Sequence, residues 1–368
     1  LLWVMGQMGF GVGAALVAVG THAFATVAWP NARWYGSEPL SALLLLLFAA
    51  FAWRTARLGP GGWNAAGAAA AGGLLVLHTP MAGPLVALVA AAAAWRGLGK
   101  GAPRQGRAWG LACAIVLAGA LLFFAYNHAR TGHVLKTGYE GDHGAAAYPY
   151  SGKPGFSTPI LVGLYGNLFS SGRGVFFYSP PLVLALGFFG GLWRRERGWA
   201  LLAAACSVYY LLLWSAWWSW YGGACWGNRA LLPVLPLLAP ALALGWERAR
   251  AAGGGAVAAF LAVAAIGVAV QIPGVLVDPA DHYRSVIGPR WENEYRIHFV
   301  PQDSPLAAHT RILLGRPMAR NDLYWWPAPS RDMRGARLAG AGALLAAMLA
   351  GAGLCVSGAK RAKPSPFV

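Results

Sequence analysis

The stretch Trp214-Ser215-Ala216-Trp217-Trp218-Ser219-Trp220-Tyr221-Gly222-Gly223-Ala224-Cys225-Trp226-Gly227-Asn228-Arg229 closes one apolar run and opens the next. Tryptophan and tyrosine favour the membrane–water interface, because the ring body is apolar while its N–H or O–H stays hydrated. The glycine pair after the aromatic residues marks a turn. The pattern therefore predicts a tight hairpin between two membrane helices, with Arg229 at its tip.

A cation beside an apolar run is costly unless it has a partner or reaches the interface. Two interpretations of Arg229 are open. In the first, the hairpin is an aromatic belt and Arg229 extends to the interface as an anchor. In the second, Arg229 awaits an anionic headgroup or phosphate, with aromatic faces nearby for a sugar.

The composition indicates a membrane protein. Of 368 residues, 57% are hydrophobic and 11% charged, with a mean hydropathy of +0.49, whereas soluble domains carry about 25% charged residues. The fold class predicted is all-α, a polytopic integral membrane protein. The net charge of +17 does not indicate nucleic acid, because the basic residues form short blocks between apolar runs. Three of the four cysteines lie in apolar runs and Cys225 lies in a loop, so no disulfide framework is implied.

About ten membrane helices with two long outer loops are expected. A short apolar stretch at 160–169 suggests an amphipathic or re-entrant helix. Three regions follow: a transmembrane core (1–277), an outer loop (278–334), and a last transmembrane helix with a basic tail (335–368). The ten apolar runs cover about 1–29, 39–54, 62–78, 80–95, 108–126, 173–194, 199–216, 230–246, 254–277 and 335–357.

Charge asymmetry orients the chain. With the N-terminus inside, the short inner loops hold 14 basic and two acidic residues, and the longer outer loops hold 15 basic and 10 acidic residues. Cytoplasmic loops are the ones enriched in lysine and arginine. We therefore predict a multi-pass protein of the cytoplasmic (inner) membrane, with the long loops outside and the C-terminus in the cytoplasm.

Glu38 stands one residue before Pro39, at the start of a membrane helix. A carboxylate there is stabilised by the helix dipole, so Glu38 is either a capping acid or an acid that positions an acceptor, a metal or a catalytic base. Arg173 resembles Arg229, because each is a lone cation at the outer end of a helix. Arg173 is either an anchor at the interface or, together with Arg229 and Lys136, part of a phosphate-binding pocket.

Metal binding has little support in the sequence. The cluster Tyr139, Glu140, Asp142 and His143 matches no known ligand spacing. No cofactor is specified, and a divalent cation is left open.

Ordered motifs along residues 25–280 resemble bacterial membrane glycosyltransferases of the GT-C type, the relatives of protein O-mannosyltransferases and aminoarabinose transferases. These motifs are Trp29-Pro30 with Tyr35-Gly36-Ser37-Glu38-Pro39-Leu40, Tyr126-Asn127 with Lys136-Thr137-Gly138-Tyr139, Gly163-Leu164-Tyr165-Gly166-Asn167-Leu168-Phe169-Ser170-Ser171-Gly172-Arg173-Gly174-Val175-Phe176-Phe177-Tyr178-Ser179-Pro180-Pro181, and Trp220-Tyr221-Gly222-Gly223 with Trp226-Gly227-Asn228-Arg229.

The resemblance implies an inverting enzyme that takes sugar from a polyprenyl-phosphate-linked donor on the outer side of the membrane. Glu38 matches the family's second acidic position, and its principal base is expected upstream of residue 1. The family's usual Pro-Arg is here Asn228-Arg229. By position, Arg173 and Arg229 would contact the lipid phosphate, with help from Lys136. The residues that would line the sugar or acceptor site are Arg33, Tyr35, Tyr139, Tyr178 and Trp226.

Two other functions remain open: a transporter or flippase for a lipid-linked glycan, and a non-catalytic membrane protein of envelope assembly. Transporters more often carry charged residues in mid-span and inverted repeats. This chain shows neither, which favours the enzyme. The sequence identifies neither the sugar nor the acceptor nor the oligomeric state.

Overall fold

The computed structural model of the chain describes residues 1–33, 36–61, 63–98, 105–141, 155–277, 282–283, 286 and 293–315. All regular structure in these residues is helical, as predicted, and they contain no strand. The expected membrane helix at 335–357, the basic tail and Tyr35 lie outside the described residues.

The described helices fall into two groups along the chain. The first group is α1 (Leu2–Gln7), α2 (Val12–Phe24), α3 (Ala28–Ala32), α4 (Glu38–Leu58), α5 (Asn64–His78), α6 (Gly83–Gly97) and α7 (Gln105–Thr131). The second is α8 (Ile160–Phe169), α9 (Val175–Tyr178), α10 (Leu182–Arg195), α11 (Arg197–Ala216), α12 (Leu235–Ala252), α13 (Gly254–Leu276), α14 (Glu294–Phe299) and α15 (Pro305–Gly315). Short 3-10 helices span Pro80–Ala82, Arg229–Val234 and Pro301–Asp303.

Five helices are long and apolar enough to cross a membrane. They are Glu38–Leu58, Gly106–Thr131, Arg197–Ala216, Arg229–Ala252 and Gly254–Leu276. Helices α5, α6 and α10 have 15, 15 and 14 residues. At 1.5 Å per residue they reach about 21–23 Å, less than the roughly 30 Å of a bilayer core. The described chain thus contains a helix at nine of the ten expected runs, but only five of them have membrane-spanning length.

Two of the expected long runs are broken by backbone chemistry. The run at 1–29 becomes α1, α2 and α3, because Gly9 takes φ +76 and ends α1. The run at 173–194 becomes α9 and α10, separated by Ser179-Pro180-Pro181. The residue before a proline disfavours the helical conformation. The proline pair therefore interrupts a run that hydropathy alone predicts as one continuous helix. The short helix expected at 160–169 is present as α8.

The helix Arg229–Ala252 forms the centre of the bundle. Its apolar positions are almost all buried, and α12 packs on α2, α10 and α13. Helix α7, of similar length, is almost wholly exposed and packs chiefly on α5. An apolar helix with little protein around it is what a lipid-facing helix looks like.

Residues 217–228 form the predicted hairpin between α11 and the 3-10 helix at Arg229. Two of its indole rings stack against glycines: a Cβ at Gly166 would overlap the ring of Trp220, and a Cβ at Gly274 would overlap that of Trp226. The described part of the expected outer loop covers the other side of the hairpin. There, the Gly172 N–H donates to the His298 carbonyl at 3.0 Å, and the rings of Phe299 and Trp220 lie 5.7 Å apart.

Candidate functional site

A cavity of about 210 Å³ opens beside the hairpin, where α4 begins and where α5 and α11 end. Its described lining combines one ion pair, an aromatic wall and several hydroxyl groups. These lining residues are Ser37, Glu38, Ser41, Thr79, Tyr139, Tyr210, Trp214, Trp217, Trp218, Ser219, Gly222, Arg229, Ala230 and Pro233. Three residues predicted from the sequence meet here: Glu38, Tyr139 and Arg229.

Glu38 and Arg229 pair across the mouth of this cavity. The Arg229 Nε lies 3.3 Å from Glu38 Oε1, and the two side chains are 39% and 17% exposed. Glu38 is the first residue of α4, and Arg229 opens the 3-10 helix that leads into α12. A half-exposed guanidinium with one carboxylate partner keeps donors for a further anion.

The glycine pair of the hairpin makes room for Arg229. Gly222 and Gly223 take φ +77 and +76, which other residues rarely adopt. A Cβ on Gly222 would also lie 3.2 Å from the Arg229 Cγ. The turn and the placement of the arginine therefore depend on the same residue.

The aromatic wall carries hydrogen-bond donors that find no acceptor. The Tyr210 hydroxyl and the indole N–H groups of Trp214 and Trp218 are buried and have no hydrogen-bond partner among the described residues. Buried donors left without acceptors are rare and cost about 1–3 kcal/mol each. The lining of the cavity contains these three side chains, Arg229 and four serine or threonine residues, and this combination favours a ligand rich in acceptor oxygens.

Tyr139 joins this wall from a short ordered loop. Its ring lies 6.0 Å from that of Trp217, edge to face. Glu140 holds the loop by accepting from the backbone N–H groups of Thr137 and Gly138, both at 2.8 Å. The Thr137 N–H lowers the pKa of Glu140 to about 2, because the hydrogen bond favours the charged carboxylate.

Arg173 lies in a different environment. It is fully buried, and its Nη2 donates to the Gly223 carbonyl and to the Tyr283 hydroxyl, both at 2.7 Å. Its Nη1 donates to the carbonyls of Gly227, at 3.1 Å, and Cys225. The guanidinium thus fastens the hairpin to the segment that follows α13, and it lies outside the described lining of the cavity.

Titratable side chains surround Arg173 where the segment that follows α13 packs against the hairpin. The Tyr221 hydroxyl donates to Glu294 Oε2 at 3.3 Å, and burial raises the pKa of Glu294. Burial lowers the pKa of His282 to about 4 and that of His309 to about 3. This side of the hairpin is therefore a buried polar interface, whereas the cavity side is open.

Tyr178 and Trp226 lie in the core. The Tyr178 hydroxyl donates to the Ser171 carbonyl at 3.2 Å, and the Trp226 indole N–H donates to Gln271 Oε1 at 3.1 Å. Their rings meet edge to face at 5.2 Å. Lys136 is exposed, and Arg33 is partly buried at the end of α3. None of these four lines the cavity as the described residues form it.

No group of three or more His, Cys, Asp or Glu that could hold a metal ion occurs within the described ranges. Asp142 and His143, from the cluster weighed above, fall outside those ranges.

Several lining residues were missed at the sequence level. Tyr210 precedes Trp214 by four residues on α11, a spacing that puts the two side chains on one helix face and could have been recognised. Ser41 lies in α4 and Thr79 follows the end of α5, 38 positions later. Their hydroxyl oxygens are 3.0 Å apart, and no local pattern connects them.

Comparison with protein-family models, with curated proteins and with solved structures finds no match. The site must therefore be interpreted from its own geometry and from the motifs of the sequence.

Proposed function

We propose that this chain is a membrane glycosyltransferase, which transfers a sugar from a polyprenyl-phosphate-linked donor to an acceptor on the outer face of the cytoplasmic membrane. The observation that carries the proposal is the Glu38–Arg229 pair, 3.3 Å apart at the mouth of an aromatic cavity rich in hydrogen-bond donors. A phosphate-linked sugar offers both an anion for the arginine and acceptor oxygens for the unpaired donors.

The parts of the donor can be assigned to parts of the cavity. Arg229 binds the phosphate and stabilises the negative charge that grows on it as the glycosidic bond breaks. The faces of Trp214, Trp217 and Tyr139 pack against the apolar faces of the sugar ring. Glu38 leaves Arg229 for the acceptor hydroxyl, orients it for attack on the anomeric carbon, and accepts its proton as the lipid phosphate departs.

Membrane placement is part of the proposal. The five membrane-length helices support a bilayer location. Arg54 and Arg57 lie near the C-terminal end of α4, whose first turn borders the cavity, and Arg96 lies at the C-terminal end of α6, which runs parallel to α4. Under the positive-inside rule, those basic ends belong in the cytoplasm and the cavity faces outward. Arg173 then serves to hold the hairpin in place.

The first test is a binding measurement that separates phosphate from hydrocarbon. The protein in nanodiscs would be titrated with undecaprenyl phosphate and, separately, with undecaprenol, while the tryptophan fluorescence is followed. We expect the phosphate to bind tighter, and Arg229→Gln to remove about 1.5–3 kcal/mol of that preference, roughly 10- to 100-fold.

The matched control is Arg250→Gln, which removes one exposed charge at the opposite end of the bundle. Equal affinity for the two lipids, or equal losses in the two variants, would overturn the proposed phosphate site. A transfer assay with a labelled polyprenyl-phosphate sugar then distinguishes enzyme from transporter: an enzyme forms a new glycoside, whereas a flippase moves the donor unchanged.

A further inference from the structure

A second cavity lies at the opposite end of the bundle from the Glu38–Arg229 pair. It has a volume of about 280 Å³ and is bounded by the C-terminal halves of α4 and α6 and the N-terminal half of α11. Helices α4 and α6 run in one direction here and α11 in the other. The first cavity is lined by the first turn of α4 and the end of α11, so the two cavities lie at opposite ends of these helices. We call this second cavity the α4–α6–α11 groove.

The groove exists because its walls carry small side chains. Ala92 of α6 and Gly198 and Ala205 of α11 belong to its lining. Trp53 of α4 lines the groove too and is itself almost fully buried. Leu88, 68% exposed, opens the wall towards the surroundings, which in a bilayer are lipid chains.

One charged residue, Arg96, belongs to the lining that the described residues form. It is exposed in the last turn of α6 and makes no ion pair within the described part of the chain. The neighbouring acid, Glu196, is already engaged, since its Oε1 lies 3.0 Å from Nη1 of Arg57. The guanidinium of Arg57 in turn lies 5.4 Å from the centre of the Trp53 ring. The end of the groove therefore carries one uncompensated positive charge.

We propose that the α4–α6–α11 groove holds an anionic phospholipid, with one acyl chain along the apolar walls and its phosphate at Arg96. The combination selects for this ligand: a neutral lipid would use only the walls, and free phosphate only the arginine. Basic pockets between membrane helices on the cytoplasmic side are suited to anionic headgroups. The inference goes beyond sugar transfer and rests only on the membrane placement proposed above.

The exposed indole of Trp95, 78% accessible, stands beside Arg96 at the same end of α6. Tryptophan at this position anchors a helix at headgroup depth. Arg96 is thereby placed at the level where a lipid phosphate lies, which fixes the register of the bound chain.

Native mass spectrometry of protein released from nanodiscs tests the assignment. Nanodiscs of phosphatidylcholine alone would be compared with nanodiscs that also contain phosphatidylglycerol. The wild-type protein should retain one phosphatidylglycerol in preference to phosphatidylcholine. Arg96→Gln should weaken that retention by about tenfold or more, as expected for the loss of a charge-assisted hydrogen bond. Arg250→Gln, an equal charge loss on the same face, should leave it unchanged.

A second pair of variants tests the walls. Ala92→Leu should reduce the retention of both lipids by filling the groove, whereas Ala90→Leu, the same change at an exposed position outside the lining, should not. Both alanines are exposed on α6, so folding should tolerate either leucine. Inorganic phosphate should not displace the bound lipid.

Three results would overturn the proposal: retention of phosphatidylglycerol unchanged by Arg96→Gln, equal losses in Arg96→Gln and Arg250→Gln, or displacement by inorganic phosphate. The experiment measures lipid retention and not sugar transfer. A failure of the groove proposal can therefore be distinguished from a failure of the sugar-transfer proposal.

Discussion

The surroundings of Arg173 and Arg229 differ, although the two arginines look alike in the sequence. Each lies within two residues of a glycine and precedes an apolar helix. Arg173 is fully buried and donates to three carbonyls and a tyrosine hydroxyl. Arg229 is 39% exposed and pairs with Glu38 beside a cavity.

The difference shows that the fold around an arginine, and not its local sequence, decides its role. The segment with Tyr283 and α14 closes over Arg173 from far along the chain. On the other side of the hairpin, the described residues leave the cavity open at Arg229. One arginine is thus enclosed by hydrogen-bond acceptors of the fold, and the other stays partly exposed beside a cavity.

The largest effect should come from Arg173→Ala. It leaves the carbonyls of Gly223, Cys225 and Gly227 without their buried donor, at a cost on the order of 5 kcal/mol in the free energy of unfolding. Unfolding in mixed detergent measures it. Arg173→Lys should recover only part of the loss, because an ammonium group lacks the planar fork. If Arg173→Ala unfolded at the same midpoint as Arg250→Gln, the structural role that separates Arg173 from Arg229 would be excluded.

On the other side of the hairpin, Glu38→Gln should act on turnover and spare stability. If Glu38 orients or deprotonates the acceptor, the transfer rate of the full-length protein should fall about 10²- to 10⁴-fold. The free energy of unfolding should change by less than about 1 kcal/mol, since its arginine partner is well exposed. Glu196→Gln, which breaks an ion pair at the opposite end, is the control. A rate unchanged from wild type would exclude Glu38 from the chemistry.

Acid should first destabilise the interface around Arg173, between the hairpin and the segment that follows α13. Burial lowers the pKa values of His282 and His309 to about 4 and 3, below 6.5. Below pH 6.5 the unfolded chain binds protons that the folded one does not, so their stabilisation is complete above 6.5 and is lost as pH falls towards 4 and 3. Each adds a slope of at most about 1.4 kcal/mol per pH unit.

The raised pKa of Glu294 acts in the opposite direction, because the folded state then holds the proton more tightly. Hydrogen exchange of α14 and α15 at pH 7 and pH 5, corrected for the intrinsic rate, measures the balance. His309→Gln should flatten the dependence. Protection that falls equally in that variant and in the wild type would point to other groups.

The smallest effect is expected from Tyr210→Phe. The hydroxyl has no partner among the described residues, so its removal should leave the free energy of unfolding unchanged or slightly higher. Donor binding should weaken by about 0.5–1.5 kcal/mol if the hydroxyl donates to the sugar. Isothermal titration with wild-type protein and Tyr209→Phe as references would detect this. A clear loss of stability would show instead that the Tyr210 hydroxyl is structural.

The helical class and the hairpin could be predicted from the sequence, because they follow from hydropathy and interfacial aromatics. That Glu38 and Arg229 belong to one site was implied only by the family resemblance. The sequence did not predict the break at Gly9 or the one at Pro180, because hydropathy averages over a window and overlooks a single backbone conformation. These breaks shorten the helices at two of the ten apolar runs. The runs at 62–78 and 80–95 hold helices of 15 residues each, and 335–357 lies outside the described residues.

Local sequence patterns could not predict that Arg173 and Arg229 lie in different environments. Arg173 is buried through contacts with Tyr283, 110 positions away. The closeness of Ser41 and Thr79 likewise depends on how α4 and α5 pack. Side chains that meet across such distances are fixed by tertiary packing, which the local pattern of a single sequence does not display.

The two indole–glycine contacts of the hairpin limit which substitutions this protein can accept during evolution. The rings of Trp220 and Trp226 occupy the space where Gly166 and Gly274 would carry a Cβ. Neither member of a pair can then change size by itself without overlap or an empty space. Substitutions at these positions should be accepted together or not at all, so that 166 and 220, and likewise 274 and 226, change as linked pairs among descendants of this chain.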